Sequence, residues 1–506
     1  MKPSTLLALL CLPAPLLAAS RDDALKLADT LVSANRQVES RTSSSAANTV
    51  FTRSDIDRLQ PSSVTELLSR VPGVQVAPTG GRQPAGYLHP RHQDRAKPGA
   101  GRRRAHRQRQ LRRQRLAVSR RRPDRAHRSA TRLSFGGVWQ RRHRRGDPDL
   151  HPPQIFTRRA SGPGLQPRLR LAAGSQQTFQ RSLGLSGGNG QTRFNLGASL
   201  DETAGIDSTG PSFASDGDHD AYRNKSVNLS LSHVFNERFE AGLNLLDSRG
   251  RSEYDNPFGR FDPVTFDSFG QKPYTDFTVS SLGSYLDAQL SERWHSRLEL
   301  GHSENRDRKR DTLSDDASVF NTYRDQVTWQ NDLTLDAGHS LLLGGDWYQD
   351  RVQGSTRFDK DSRSNRALFL QHRYHGEAFS TELGVRRDQN QQFGGQTTWS
   401  GSLTVPLNAD NDLLLSYSEG FRAPTFNDLY YPQYSNPDLS PERSRSYEVQ
   451  WRSQLGAASQ LEASLYRTDL RDAIVFGEGS IPRNVASARI DGAELALTQD
   501  DRPARP

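Results

Sequence analysis

A mainly β chain is what the sequence predicts, with antiparallel hairpins that either wrap into a transmembrane β-barrel or stack as a soluble β-sandwich. Beyond Gln154 apolar residues recur at every second position, the period of a strand with one apolar and one polar face. Gly- and Asn-containing turn signals separate those runs. A secretory leader opens the chain, and no apolar run long enough to cross a bilayer as a helix follows it. Mean hydropathy is low, at -0.79. That value still suits a membrane barrel, because lipid-facing and lumen-facing residues alternate and dilute one another.

The leader comprises Lys2, an apolar run from Leu6 to Leu17 and the small pair Ala18 and Ala19, so residues 1–19 read as a signal peptide. The only cysteine, Cys11, lies inside it, and Leu10 stands where a lipoprotein signal places a small residue. Acylation is therefore not expected, and disulfides and a Cys nucleophile are excluded from the mature chain. Residues 20–47 are polar and Ser-rich, a flexible exported segment. A short α/β unit is expected next. Val50 and Phe51 form a strand, Ser54 starts a helical turn, and Ser63-Val64-Thr65-Glu66 is a capping box. The helix it opens presents Val64, Leu67, Leu68 and Val71 on one side, ends at Pro72-Gly73 and gives way to a strand at Val74 and Val76.

Hairpins fill the rest. Leu183 and Leu185 precede a Gly187-Gly188-Asn189-Gly190 turn, and Phe194, Leu196, Ala198 and Leu200 follow at period two. Val227, Leu229 and Leu231 lead through an Asn236-Glu237 turn to Phe239, Ala241, Leu243 and Leu245. Leu298 and Leu300, Leu333 and Leu335, Leu403 and Val405, and Leu461 to Leu465 repeat the pattern. Trp294, Trp347, Trp399 and Trp451 fall near expected strand ends, where an interfacial girdle would sit.

The richest motif runs from Ser416 to Glu448: S-Y-S-E-G-F-R-A-P-T-F-N-D-L-Y-Y, then N-P-D-L-S-P-E-R-S-R-S-Y-E. Two strands flank a loop whose prolines stand at fixed distances from Arg422 and Glu442. This motif resembles the barrel hairpin of TonB-dependent outer-membrane transporters. The run S-D-I-D-R-L-Q-P-S-S-V-T-E-L-L-S-R-V-P-G-V-Q-V resembles the first half of their plug domain, and Asn484 to Glu494 resembles another barrel motif, with Gly492 expected to turn the strand and Glu494 to face inward. The resemblance implies a transmembrane antiparallel β-barrel with an N-terminal α/β plug domain, in the outer membrane of a Gram-negative cell and in contact with its lipid. Asp29, Thr30, Leu31, Val32, Ser33 and Ala34 resemble the TonB box of cobalamin transporters, which pairs by strand addition with the TonB complex.

From about residue 83 to 153 the pattern breaks. Residues 91–145 hold 21 Lys and Arg against two Asp, a balance of 21 - 2 = +19, whereas the whole chain carries +10. The remainder is therefore 10 - 19 = -9. A basic block of this kind suits nucleic acid or an anionic membrane surface. Read one base downstream, however, the codons of residues 122–151 permit a string resembling the second half of the plug. That string ends in Q-I-F-T-R, which reappears in frame at Gln154 to Arg158. Residues 83–153 are accordingly expected to be a frameshifted translation within a plug spanning 48–153, and no nucleic-acid partner is expected.

Asp207, Asp218, Asp220, Asp255 and Asp267 fall in loops at expected hairpin ends. Hard cations such as Ca²⁺ take about 6–8 oxygen ligands, so these aspartates suit one or two ions, or else simply solvate long loops. The resemblance to cobalamin transporters favours a structural Ca²⁺ site. It also implies active import of cobalamin (vitamin B12) by a monomer, with a siderophore receptor of the same superfamily as the alternative. Catalysis is the poorer alternative for these loops, and no enzyme is expected. At about 22 residues per strand and connection, residues 154–497 hold about 15 or 16 strands, against about 22 in large plugged barrels. The barrel over 154–506 is thus expected to be C-terminally truncated and transport by this product impaired.

Overall fold

The computed structural model describes residues 164–207, 219–255, 272–311, 317–456 and 459–499, with the backbone of four short strands at 30–32, 38–40, 260–261 and 268–269. The expected leader, the plug and the Arg-rich block lie outside the described residues.

Two short strands come first, β1 (Thr30–Val32) and β2 (Val38–Ser40). The main sheet begins with β3 (Gln166–Gly174), β4 (Thr178–Gly188), β5 (Thr192–Thr203), β6 (Tyr222–Asn236) and β7 (Phe239–Glu253). After a small hairpin of β8 (Arg260–Phe261) and β9 (Ser268–Phe269) follow β10 (Pro273–Ser291), β11 (Trp294–Asp311), β12 (Ala317–Thr334), β13 (His339–Gly354) and β14 (Ser362–His375). The last are β15 (Ser380–Asn390), β16 (Gly394–Asn408), β17 (Asn411–Arg422), β18 (Glu442–Gln454), β19 (Ser459–Phe476) and β20 (Pro482–Gln499). Strands β3 to β7 and β10 to β20 form one 16-stranded sheet in which each strand lies antiparallel beside its chain neighbour, β7 pairing β10 across the small hairpin. A sandwich needs two facing sheets, so a single meander of this size settles the fold as a barrel wall.

The two ends of that wall differ. At one end the connections are tight: residues 189–191, 237–238, 292–293 and 409–410 join consecutive strands. The other end carries longer connections, including 204–221, 254–272 and 423–441. Side-chain oxygens close the tight turns. Asn189 Oδ1 accepts from the Gln191 and Thr192 N–H groups, Asn236 Oδ1 from Arg238 and Phe239, and Asp336 Oδ1 from Gly338 and His339. The latter pair of N–H groups holds the Asp336 carboxyl below its ordinary pKa.

Period two becomes an inside-out distribution. On β14 the outward Leu368 is 71% exposed, while the inward Arg363, Asn365 and Gln371 are buried. Outward apolar residues run from Trp294 to Leu300 on β11 and from Leu290 to Leu282 on β10. At ~3.3 Å per residue these runs cover about 20–26 Å along the strand, close to the lipid-facing band of an outer-membrane barrel. The four tryptophans are all exposed on this surface, but their positions correct the expectation. Trp294 and Trp451 lie near the tight-turn end. Trp347 and Trp399 sit inside β13 and β16, because these strands continue past the apolar band into polar outward residues such as Gln349 and Arg351.

Gly492 also differs from expectation. It stays within the regular pairing of β20, opposite Tyr466, and a Cβ there would lie 2.1 Å from the Tyr466 hydroxyl. The glycine therefore makes room for a ring rather than turning the strand. Glu494 shares its face, opposite the exposed Leu495 and Leu497, as expected.

Candidate functional site

The inward face of β12 to β15 carries paired charges. Arg386, 1% exposed, donates from Nη1 to Asp346 Oδ2 at 2.6 Å and from Nε and Nη2 to the two oxygens of Asp388 at 2.8 and 3.0 Å. Asn365 Nδ2 donates to the same Asp388 at 2.8 Å. One strand over, Arg324 grips both oxygens of Asp350 and lies 4.4 Å above the Tyr348 ring. Alternation forces this chemistry: residues 386 and 388 share a face that cannot meet lipid while Leu383 is on the other. A buried guanidinium needs acceptors for its donors, and paired carboxylates offset its charge as well.

A second network lines the wall nearer the tight turns. Arg193 pairs with Glu240 at 3.0 Å, Tyr285 Oη donates to Glu240 at 2.7 Å, and Arg297 stacks 4.3 Å from the Tyr285 ring. Arg297 and His295 both contact Asp287, and Arg297 reaches Glu299 at 2.8 Å. The lumen wall is thus a field of fixed charges paired across strands, able to hold polar material by hydrogen bonding.

At the loop end, the motif singled out in the sequence forms a clasp. Arg422 and Glu442 are cross-strand partners with an ion pair at 2.6 Å, and Glu442 Oε1 also accepts the Ile474 N–H at 2.7 Å. Between them Thr425 caps helix α1 (Phe426–Tyr430) in a reciprocal capping box with Asp428. The helix drives Leu429 and Tyr430 into a small core with Phe358 and Leu439, flanked by Phe320, Phe393 and Phe426. Arg363 Nη1 fastens the loop to the wall through the Pro424 carbonyl at 2.9 Å.

The structure describes three of the five aspartates. Asp207 is exposed, Asp220 is buried, and Asp255 has a buried Oδ2 with no hydrogen-bond partner. The Asp220 N–H donates to the Ile206 carbonyl at 3.1 Å, and the Ala221 N–H to the Glu253 carboxylate at 3.2 Å. Those bonds gather the loop-end bases of β5, β6 and β7. Asp218 and Asp267 lie outside the described residues, and among the described residues no group of three or more His, Cys, Asp or Glu is placed to hold a metal. Of the TonB-box segment, Thr30, Leu31 and Val32 form β1, paired antiparallel with Ser40, Glu39 and Val38. Asp29, Ser33 and Ala34 lie outside the described residues.

Sequence reasoning missed the lumen networks. Their signal was present in R-R-D-Q-N at 386–390, where charged residues alternate within a strand whose earlier outward residues are Leu383 and Val385.

Known proteins give the chain its relatives. Residues 164–500 match the family described as TonB dependent receptor-like, beta-barrel. The vitamin B12 transporter BtuB of Photobacterium profundum is 27% identical over 511 residues, covering 97% of this chain and 78% of that protein. The vitamin B12 transporter BtuB of Vibrio vulnificus is 27% identical over 293 residues, covering 56% of this chain and 46% of that protein. A mutant of the ferric enterobactin receptor PfeA from Pseudomonas aeruginosa superimposes with a TM-score of 0.57 at 14% identity, covering 68% of this chain and 61% of that one. This chain thus spans less than two thirds of the length of the latter two, and the likeness to the receptor structure shows the fold.

Proposed function

The chain belongs to the TonB-dependent receptor β-barrel family of the outer membrane, and from that premise we propose that it serves active import of cobalamin into the periplasm, driven by the TonB complex. The observation that carries the transport reading is the inside-out wall: exposed leucines face lipid while Arg386, Asp388 and Asn365 line a polar interior. Choice of cobalamin rests on the likeness to two vitamin B12 transporters and on the segment around Thr30 to Val32, which already adopts the extended form that strand addition needs. The tight turns face the periplasm and the longer loops face outward, as is usual for such barrels.

Calcium belongs to the same reading. The orphaned Asp255 Oδ2 and the buried Asp220 fit a hard cation, and with Asp207, Asp218 and Asp267 they would supply its oxygen ligands. The ion's positive charge would draw the loop-end carboxylates together and order the loops around an incoming ligand. Residues 48–153 form the plug, with 83–153 read out of frame, so this product imports poorly until the frame is restored.

The test compares outer membranes carrying the chain as it stands with a frame-restored version, using radiolabelled cyanocobalamin and a ferric siderophore as rival ligands. Saturable cobalamin binding that needs Ca²⁺, seen with the restored version, is expected. Ferric chelate binding in its place would transfer the protein to the siderophore receptors, and an undisturbed nucleotide sequence through 83–153 would remove the frame argument.

A further inference from the structure

Histidines on the wall meet different partners. His295 and His302 contact the carboxylates of Asp287 and Asp325, while His233 and His375 meet the hydroxyls of Thr192 and Ser380 at 2.8 and 2.9 Å. His339 and His372 instead meet each other. Nδ1 of His339 lies 3.0 Å from Nε2 of His372, with the ring centroids 5.2 Å apart. Two imidazoles facing one another bring two nitrogen lone-pair sites to a single point.

Sheet register explains the meeting. His339 stands opposite Tyr374 and Leu341 opposite His372, so the two histidines are diagonal neighbours on one face, within reach of one another. That face is the outward one, since the exposed Leu368 and Leu370 lead to His372 and Tyr374 at period two. Both rings are half-buried at the tight-turn edge of the apolar band, beside the turn of residues 335–338. Backbone bonds hold them in place. The His339 N–H donates to Asp336 Oδ1 at 2.8 Å, its carbonyl accepts from the Leu335 N–H at 2.9 Å, and the His375 N–H ties β14 to the Gly338 carbonyl at 2.8 Å. The Tyr374 ring packs 4.7 Å from that of His339, and Phe379 packs 5.2 Å from Tyr374.

We propose that His339 and His372 form a bidentate site for a late first-row divalent ion of the Cu²⁺, Ni²⁺ or Zn²⁺ class. Bonds from such ions to imidazole nitrogen are about 2.0–2.1 Å, so two nitrogens on one ion stand about 2.9 Å apart at a right angle and about 3.3 Å apart at the tetrahedral angle. The observed 3.0 Å falls between these values. A neutral imidazole carries one N–H, and here one ring's N–H points at the other ring. Moving that proton to the donor ring's second nitrogen, with a small tilt of both rings, turns two lone pairs to the ion and releases no net proton. Water at the turn end completes the coordination. Ca²⁺ and Mg²⁺ prefer oxygen ligands and do not suit the pair. The site is separate from the loop-end aspartates and does not depend on which ligand the barrel imports.

Titration of the reconstituted full chain with Cu²⁺ in excess Ca²⁺, read by electron paramagnetic resonance, tests the site. The tightest Cu²⁺ bound should show hyperfine splitting from two imidazole nitrogens. His339→Gln and His372→Gln should each remove that signature and weaken the tightest binding by about a hundredfold, because chelation is lost. His372→Cys, which keeps a soft ligand, should hold Zn²⁺ more tightly than His372→Gln, and His233→Gln and His375→Gln should leave the copper signature unchanged. Each variant's β-sheet circular dichroism should match the parent's. A two-nitrogen signal that survives in both single variants, or that excess Ca²⁺ abolishes, would overturn the proposal, as would its absence from the folded parent. Metal binding is read without any uptake, so its failure leaves the transport reading standing, and the reverse also holds.

Discussion

On the hairpin of β14 and β15, Leu368, Leu370 and Leu383 stand exposed on one face while Arg363, Asn365, Arg386 and Asp388 lie buried on the other. In water this arrangement would waste the hydrophobic effect on one side and charge desolvation costs on the other. In a bilayer both faces are at home, because the solvent outside is hydrocarbon and the interior is polar. The two faces of one strand thus obey different rules, and a substitution should cost according to the face it strikes.

Removing a lumen charge should cost most. Arg386→Leu strips the partner from Asp346 and Asp388 together, and the loss should be about 3–5 kcal/mol in denaturant unfolding of the reconstituted protein. The double change with Asp388→Asn should recover part of that loss, which a simple packing defect would not allow. Placing a charge on the outer face comes next: Leu298→Arg, inside the apolar band, should cost about 2–4 kcal/mol, whereas the same change at Leu335 near a tight turn should cost about 1 kcal/mol or less. Third, Gly492→Ala on the inward face drives a methyl group into the Tyr466 ring and hydroxyl and should cost about 1–3 kcal/mol, a cost that should disappear in a Tyr466→Ala background but persist in Tyr466→Phe, which keeps the ring.

The clasp at the loop end belongs to neither face and should respond as a soluble protein does. Thr425→Ala removes the cap of α1 and should cost about 1 kcal/mol, read as faster amide exchange at Leu429 and Tyr430. The smallest effect is expected at Asp336, whose depressed pKa means that its contribution is present above the unfolded value and fades as pH falls through the folded one. Asp336→Ala should therefore differ from the parent near neutrality and converge with it as pH falls through the depressed folded value.

Much of the wall was legible in the sequence. Period-two runs such as Phe194 to Leu200 and turns such as Asn236-Glu237 fix strands and hairpins by local rules, and they became β5, β6 and β7. Arg422 and Glu442 were marked by their motif, and the structure supplied the reason, a cross-strand ion pair. The tryptophans were harder to place, since the membrane edge follows where outward residues turn polar and not where strands end. Arg386 and Asp346 lie far apart in the chain, so their pairing depends on sheet register, which no local pattern states. The glycine at 492 was misread for the same reason, since Tyr466 meets it only across β19 and β20.

The two-face account is tested most directly on four consecutive residues of β14. The only native cysteine, Cys11, lies in the expected leader, so Leu368→Cys, Phe369→Cys, Leu370→Cys and Gln371→Cys can each carry a single spin label in the mature protein. In lipid bilayers the labels at 368 and 370 should be accessible to dissolved oxygen and shielded from a water-soluble nickel chelate, with labels at 369 and 371 facing the lumen and showing the opposite order. Labels at all four positions equally open to the nickel chelate, with no alternation, would contradict a wall with lipid on one side and a polar lumen on the other.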